Sequence, residues 1–111
     1  IFKRVSLELI TASHVLISYQ GALRSEQSRS KDEAMQLAQQ LLAEIQDGRD
    51  FAEVAKEHSN GPSAPQGGML GEFPRGMMVP EFDQAAFALE PNTVSEVVET
   101  AFGFHIIKRI Q

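Results

Sequence analysis

A chain of 111 residues is long enough to form one domain that buries its own core without a metal or disulfide. It contains no cysteine, which excludes disulfides, thiolate metal sites and cysteine nucleophiles. The net charge is −5 and the basic residues are scattered, so a nucleic-acid-binding surface is not expected. No apolar run approaches the roughly 20 residues that cross a bilayer, so membrane insertion is not expected either.

The first predicted element is a strand over Ala12–Tyr19. Its β-branched and apolar residues alternate, so that Val15 and Ile17 lie on one face and His14 lies on the other. Residues 1–10 are expected to be an N-terminal extension or linker, and residues 11–111 the domain itself. The chain begins without methionine, which is consistent with its being part of a longer protein.

Two helices are predicted after a polar loop. Ser30 and Glu33 have the spacing of a capping box, the residues behind them repeat at helical intervals, and Gly48 provides the stop. Asp50 repeats the start signal for a short second helix.

The second half of the chain alternates irregular segments with short elements. Residues 59–76 are rich in glycine and proline and are expected to hold at most a short strand near Met69–Glu72. A helix is predicted from Pro80 to Leu89, followed by strands over Val94–Glu99 and Gly103–Ile110. This order favours the α+β class, with a small antiparallel sheet wrapped by helices.

Three histidines are candidates for chemistry. His58 ends the second predicted helix, where a solvated or capping role is expected. His14 and His105 lie inside strands, where a buried imidazole needs a hydrogen-bond partner, so on pattern alone they are satisfied structural residues. No ligand spacing supports a zinc site, and neither Ser59 nor Ser63 lies in a nucleophile elbow. Neither a metal nor another cofactor is expected.

A cluster of apolar side chains lies within the loop-rich stretch. Its members are Leu70, Phe73, Met77, Met78 and Phe82. Spacing alone is consistent with two interpretations: the cluster completes the core, or it forms a shallow apolar pocket for a flat ring such as proline.

Several segments together resemble the parvulin family of peptidyl-prolyl cis–trans isomerases. The resemblance covers roughly residues 11–110 and is carried by Ala12–Ile17, Gly67–Phe73, Arg75–Phe82, Phe87–Leu89, Val94–Val98 and Phe102–Lys108. It implies a four-stranded antiparallel sheet surrounded by helices, with a proline-binding site.

The resemblance also implies roles for individual residues. His14 and His105 match the central histidine pair of parvulins, and Thr100 matches a hydroxyl beside it. Leu70, Met78 and Phe82 match the proline-binding wall, to which Phe73 is added as a substrate-binding residue. Two positions depart from the family pattern. Gly61 stands where parvulins usually carry Cys or Asp, so Asn60 is the candidate replacement, and Met69 stands where an acidic residue is common.

The function implied is non-covalent isomerisation of X-Pro bonds in unfolded or flexible polypeptides. Proline-containing polypeptides are therefore the expected partners, and the alternative is a non-catalytic peptide-binding chaperone domain that uses the same groove. Some parvulins recognise a phosphorylated residue before proline with clustered basic residues. Here Arg24, Arg29 and Lys31 are spread out among acidic residues, so no phosphate dependence is expected. No targeting segment is visible, and the expected location is either the cytoplasm or a bacterial cell envelope.

Overall fold

The computed structural model describes residues 8–111 and places them around one four-stranded antiparallel sheet. In chain order the elements are β1 (Leu9–Ile17), α1 (Lys31–Gln46), α2 (Phe51–His58), a 3-10 turn (Ala64–Gln66), β2 (Met69–Pro74), α3 (Pro80–Ala88), β3 (Val98–Thr100) and β4 (Gly103–Arg109). The strand order is β2-β1-β4-β3, with β1 and β4 at the centre. The expected α+β class and four-stranded sheet are therefore confirmed.

The first strand begins earlier than predicted. Leu9 and Ile10 pair with Pro74 and Phe73 of β2, and Ile10 is fully buried. Residues 1–7, the larger part of the predicted extension, lie outside the described residues. The strand also ends earlier than predicted, because the Ser18 amide donates to a side chain, the Asn60 amide oxygen at 2.9 Å, instead of to a strand partner.

Helices α1 and α2 cover one face of the sheet. The Ser30 hydroxyl accepts from the Glu33 amide at 3.1 Å while the Glu33 carboxylate accepts from the Ser30 amide at 2.8 Å, which confirms the predicted capping box. Asp50 caps α2 in the predicted manner. The apolar sides of both helices bury Val15 and Ile17 of β1 together with Phe104 and Ile106 of β4.

Helix α3 covers part of the opposite face. Its buried residues pack against Ile10 and Ala12 of β1, Phe73 of β2 and Ile107 of β4. This second cluster does not extend along the whole face, and the uncovered part, around His14 and His105, is where the candidate site lies. None of the helices in the described range is long and apolar enough to cross a membrane.

The third strand is shorter than the predicted Val94–Glu99, and the reason lies in one side chain. Val94 makes only an isolated bridge to Lys108, and regular pairing begins at Val98. Between them the Ser95 amide donates to the Ile107 carbonyl at 2.7 Å, and the Ser95 hydroxyl accepts from the Ile107 amide at 2.9 Å. A side-chain oxygen thus replaces the carbonyl that would continue the ladder.

Candidate active site

Two buried histidines meet at the centre of the sheet. His14 of β1 and His105 of β4 are buried and lie diagonally across the central strand pair, with their Nδ1 atoms 3.1 Å apart, within hydrogen-bonding distance. The rings stack with centroids 5.3 Å apart. Burial lowers the pKa of His14 to about 4, and burial together with repulsion from His14 lowers the pKa of His105 to about 3. Both imidazoles are therefore neutral at pH 7.

Thr100 is the second partner of His105. Its hydroxyl lies 2.7 Å from His105 Nε2 and also accepts from the Phe102 amide at 3.2 Å. The side chain is buried and does not line the cavity described below. Thr100 therefore reaches the site only through His105.

Phe82 of α3 connects the histidine pair to the apolar part of the site. The Phe82 ring is nearly perpendicular to both imidazole rings, and its centroid lies 5.6 Å from that of His14 and 5.3 Å from that of His105. Such edge-to-face geometry is the favoured arrangement of aromatic rings. The ring is held from behind by Phe73, whose centroid lies 6.4 Å away.

A cavity of about 520 Å³ opens above these rings. This volume is within the range typical of small-ligand sites and exceeds the space needed for a single five-membered ring. The apolar part of its wall consists of Leu16, Leu23, Pro62, Leu70, Met77, Met78, Val79, Phe82 and Phe102. The cavity therefore presents an apolar surface with neutral histidines at its floor, which suits an uncharged ring better than an ion.

Leu70 reaches the cavity because β2 contains a bulge. Ala12 pairs with Gly71 and Ser13 pairs with Met69, so Leu70 is the extra residue that has no partner in β1. In a regular strand, side chains alternate between the two faces of the sheet, and that alternation alone would fix the face of Leu70. The bulge breaks this alternation at Leu70. Glycine within a strand often marks a bulge, and Gly71 has a φ of +80°. Gly71 is therefore the signal in the sequence that indicates this irregular pairing.

Two of the predicted site residues have other contacts than expected. Phe73 is buried behind Phe82 and does not line the cavity, because it pairs with Ile10 on the face that α3 covers, so its substrate-binding role stays a prediction. Asn60 does line the cavity, but its side-chain oxygen already accepts from the Ser18 amide and the Arg29 guanidinium, each at 2.9 Å. Asn60 therefore connects the end of β1 to the loops around the site.

Position 61 lies directly beside the histidine pair. A Cβ atom built on Gly61 would lie 3.3 Å from His14 Nε2 and 3.6 Å from the Ser59 hydroxyl. A side chain at this position would therefore contact His14, and Gly61 provides none.

The loop between β1 and α1 supplies cavity residues that the sequence did not identify. The cavity is lined there by Leu23, Arg24, Ser25, Glu26 and Gln27. The Leu23 amide donates to the Ala101 carbonyl at 2.9 Å, which fixes the loop against the β3–β4 turn. Polar composition predicts a surface loop but carries no information about which side of the sheet it covers, so only the fold reveals this wall.

Comparison with known proteins agrees with this geometry. The family model described as the PPIC-type PPIASE domain matches residues 2–111. The chain belongs to the parvulin family of peptidyl-prolyl cis–trans isomerases. The sequence-based identification of the family is thereby confirmed.

Curated relatives of this parvulin domain include isomerases and foldases. It is 38% identical over 116 residues to the peptidyl-prolyl cis-trans isomerase Pin1 of Digitalis lanata, a match that covers 95% of this chain and 98% of the relative. It is 39% identical over 104 residues to the foldase protein PrsA of Caldanaerobacter subterraneus, covering 93% of this chain but 29% of the relative. The parvulin domain thus spans less than a third of that foldase's length.

A solved structure shows the same fold. The peptidyl-prolyl isomerase ESS1 from Candida albicans superposes with a TM-score of 0.89 at 33% identity. The match covers 93% of this chain and 63% of that one.

Proposed function

We propose that this domain catalyses cis–trans isomerisation of X-Pro bonds in unfolded or flexible polypeptides, by a non-covalent mechanism that needs neither a cofactor nor a phosphorylated substrate. The observation that carries the proposal is the apolar cavity whose floor consists of Phe82 and the neutral pair His14 and His105. The proposed location is either the cytoplasm or a bacterial cell envelope.

The apolar wall accounts for the rate enhancement. Rotation about a prolyl bond breaks amide conjugation against a barrier of about 18–20 kcal/mol, and no covalent bond has to form or break. The twisted amide has less charge separation than the planar one, so a dry apolar site disfavours it less than water does. If Leu70, Met78 and Phe82 hold the ring while the preceding carbonyl turns, a thousandfold acceleration needs only about 4 kcal/mol of differential stabilisation.

The histidine pair supports this wall through a directed hydrogen-bond chain. The Thr100 hydroxyl oxygen is already an acceptor for the Phe102 amide, and His105 Nε2 is the hydrogen-bond partner available to its proton among the described residues. His105 then carries its own proton on Nδ1 and donates it to His14 Nδ1, which leaves the His14 proton on Nε2. The proposed role of Thr100 and both histidines is therefore to orient the cavity floor, not to transfer protons.

Exchange NMR on a short Ala-Pro peptide tests the proposal. We expect catalytic amounts of the domain to accelerate cis–trans exchange, which takes tens to hundreds of seconds without catalyst. Omitting the domain gives the spontaneous rate as the baseline. No acceleration at any concentration of the domain would contradict the proposed activity.

The alternative, a peptide-binding chaperone domain without catalysis, is favoured by one observation. Gly61 provides no thiol or carboxylate beside His14 Nε2, where a side chain would lie within contact distance. The same NMR experiment separates the two functions, because a binder shifts the peptide resonances without increasing the exchange rate.

The loop contacts support independence from phosphate. One guanidinium nitrogen of Arg29 donates to both the Ser18 carbonyl and the Asn60 amide oxygen, each at 2.9 Å. Lys31 forms an ion pair with Glu99 at 2.8 Å. Arg24 is the basic residue that lines the cavity in the described part of the chain, and Glu26 lines it too. A phosphate dianion would therefore meet one cation and one carboxylate instead of a basic cluster.

We accordingly expect kcat/KM for a phospho-Ser-Pro peptide to differ from that for Ser-Pro by less than about fivefold, since one exposed ion pair is worth about 1 kcal/mol or less. The measurement is exchange NMR on both peptides, with Arg24→Gln as the matched variant. A preference above tenfold for the phosphopeptide that Arg24→Gln abolishes would show that the loop recognises phosphate.

A further inference from the structure

The sulfur-containing side chains of this protein are its four methionines, because the chain has no cysteine. Met77 and Met78 line the cavity. The other two lie elsewhere: Met35 is on α1, and Met69 accepts a hydrogen bond from the Ser13 hydroxyl beside a separate small cleft. The four residues therefore form two matched pairs, one inside the candidate site and one outside it.

Solvent reaches both pairs. Met77 is 65% exposed, while Met69 and Met35 are 44% and 36% exposed. Met78 is half-buried, and its segment between β2 and α3 has neither helical nor strand structure. The amide of Met77 makes only a long hydrogen bond, 3.4 Å, to the Pro74 carbonyl. Since thioethers accessible to solvent react with peroxides, all four side chains are within reach of this chemistry.

From this arrangement we infer that Met78 is a modification site at which hydroperoxides reversibly switch off the proline pocket. In the reaction the thioether sulfur attacks the O–O bond of hydrogen peroxide, an S=O bond forms, the O–O bond breaks and water leaves. The sulfur is oxidised and the peroxide is reduced. Met77, the more exposed neighbour, reacts first, but its sulfoxide stays solvated.

The consequence differs at Met78 because of its surroundings. Its side chain lines the same cavity as Leu70 and Phe82, where a sulfoxide adds a strong hydrogen-bond acceptor to an apolar wall. A proline ring has no donor to satisfy that oxygen, so binding the ring would leave the oxygen desolvated and unpaired. Methionine sulfoxide reductases restore the thioether, and with it the apolar wall. The inference rests on the proposed proline-binding function of this cavity.

The experiment treats the domain with hydrogen peroxide, maps each sulfoxide by mass spectrometry, and measures both peptide affinity and cis–trans exchange. The wild type is compared with Met78→Leu, Met77→Leu, Met35→Leu and Met69→Leu, each against its own untreated sample. We expect kcat/KM of the wild type to fall about tenfold and to recover with the reductases. Met78→Leu should keep its own untreated value, whereas the other three variants should lose activity as the wild type does.

Two results would overturn the inference: full oxidation of Met78 without loss of affinity or exchange, and a Met78→Leu variant as sensitive as the wild type. The failure of the proposed catalysis is distinguishable from both. A domain that binds the peptide without accelerating exchange refutes catalysis, yet its affinity before and after peroxide still decides the role of Met78. A domain that does neither refutes the pocket and the inference together.

Discussion

Phe82→Ala should lower kcat/KM about 100-fold, while His14→Asn should retain activity within about tenfold. Phe82 supplies the aromatic surface at the cavity floor and touches both imidazoles, so its truncation removes about 2.7 kcal/mol of transition-state binding. Asn at position 14 keeps a polar group that can hydrogen-bond to His105. Exchange NMR on the Ala-Pro peptide measures both effects.

The chain offers a matched control for Phe82. Phe87 belongs to the same core cluster, is 6% exposed against 3% for Phe82, and packs on the same Phe73, but it does not line the cavity. Both alanine variants should lose about 3–5 kcal/mol of unfolding free energy, whereas only Phe82→Ala should lose most of the activity.

Met78→Ala tests the same wall at a half-buried position, where the loss of stability is smaller. Its kcat/KM should also fall strongly, so the wall can still be tested if Phe82→Ala does not fold. Retained activity in Phe82→Ala or Met78→Ala with an inactive His14→Asn would assign the main role to the histidines.

The sequence predicts those parts of the fold that depend on local patterns. The capping box at Ser30 and Glu33 can be predicted because both of its hydrogen bonds join residues that are three positions apart in the chain. Alternation along β1 correctly separates His14 from Val15, because neighbouring side chains of a strand must point to opposite faces.

Features that depend on contacts between distant residues were missed or misplaced. The start of β1 is set by pairing of Leu9 and Ile10 with β2, about 65 residues away in the chain. The short β3 follows from the contact of Ser95 with Ile107, and alternation alone did not reveal it. The sequence pattern groups Phe73 with the pocket because it is apolar and close in sequence to Leu70. The bulge at Leu70 and the pairing of Phe73 with Ile10 separate the two residues.

The resemblance to parvulins identifies the histidine pair, and burial explains the lowered pKa values of both imidazoles. Alternation gives no reason for two strands 91 residues apart to bring their imidazoles together. The resemblance identifies His14 and His105 as a pair, and their Nδ1 atoms lie 3.1 Å apart, within hydrogen-bonding distance. Neutral imidazoles in this environment make the stability of the fold depend on pH.

Lowering the pH from 7 to 5 should reduce the unfolding free energy by about 2 kcal/mol for each of the two histidines. Their pKa values in the folded chain, about 4 and about 3, lie below the ordinary value of 6.5. Between pH 6.5 and 4 the unfolded chain therefore binds protons that the folded chain does not. The stability that the neutral pair contributes is present above pH 6.5 and is lost as the pH falls to about 4 for His14 and about 3 for His105. Urea unfolding at several pH values measures this loss.

Two variants separate the buried pair from other groups. In His14→Asn about half of the loss between pH 7 and 5 should disappear, because one of the two titrating imidazoles is gone. His58→Gln should leave most of the loss in place, since His58 ends α2 beside the Glu57 carboxylate and makes neither the hydrogen bond nor the ring contact that joins His14 to His105. Hydrogen bonds lower the pKa values of the Glu33 and Glu44 carboxyls, so the stability that they contribute is also lost on acidification, but this loss is common to the wild type and both variants. An unchanged pH dependence in His14→Asn would show that the imidazoles accept protons within the folded site, and the neutral-pair mechanism would then fail.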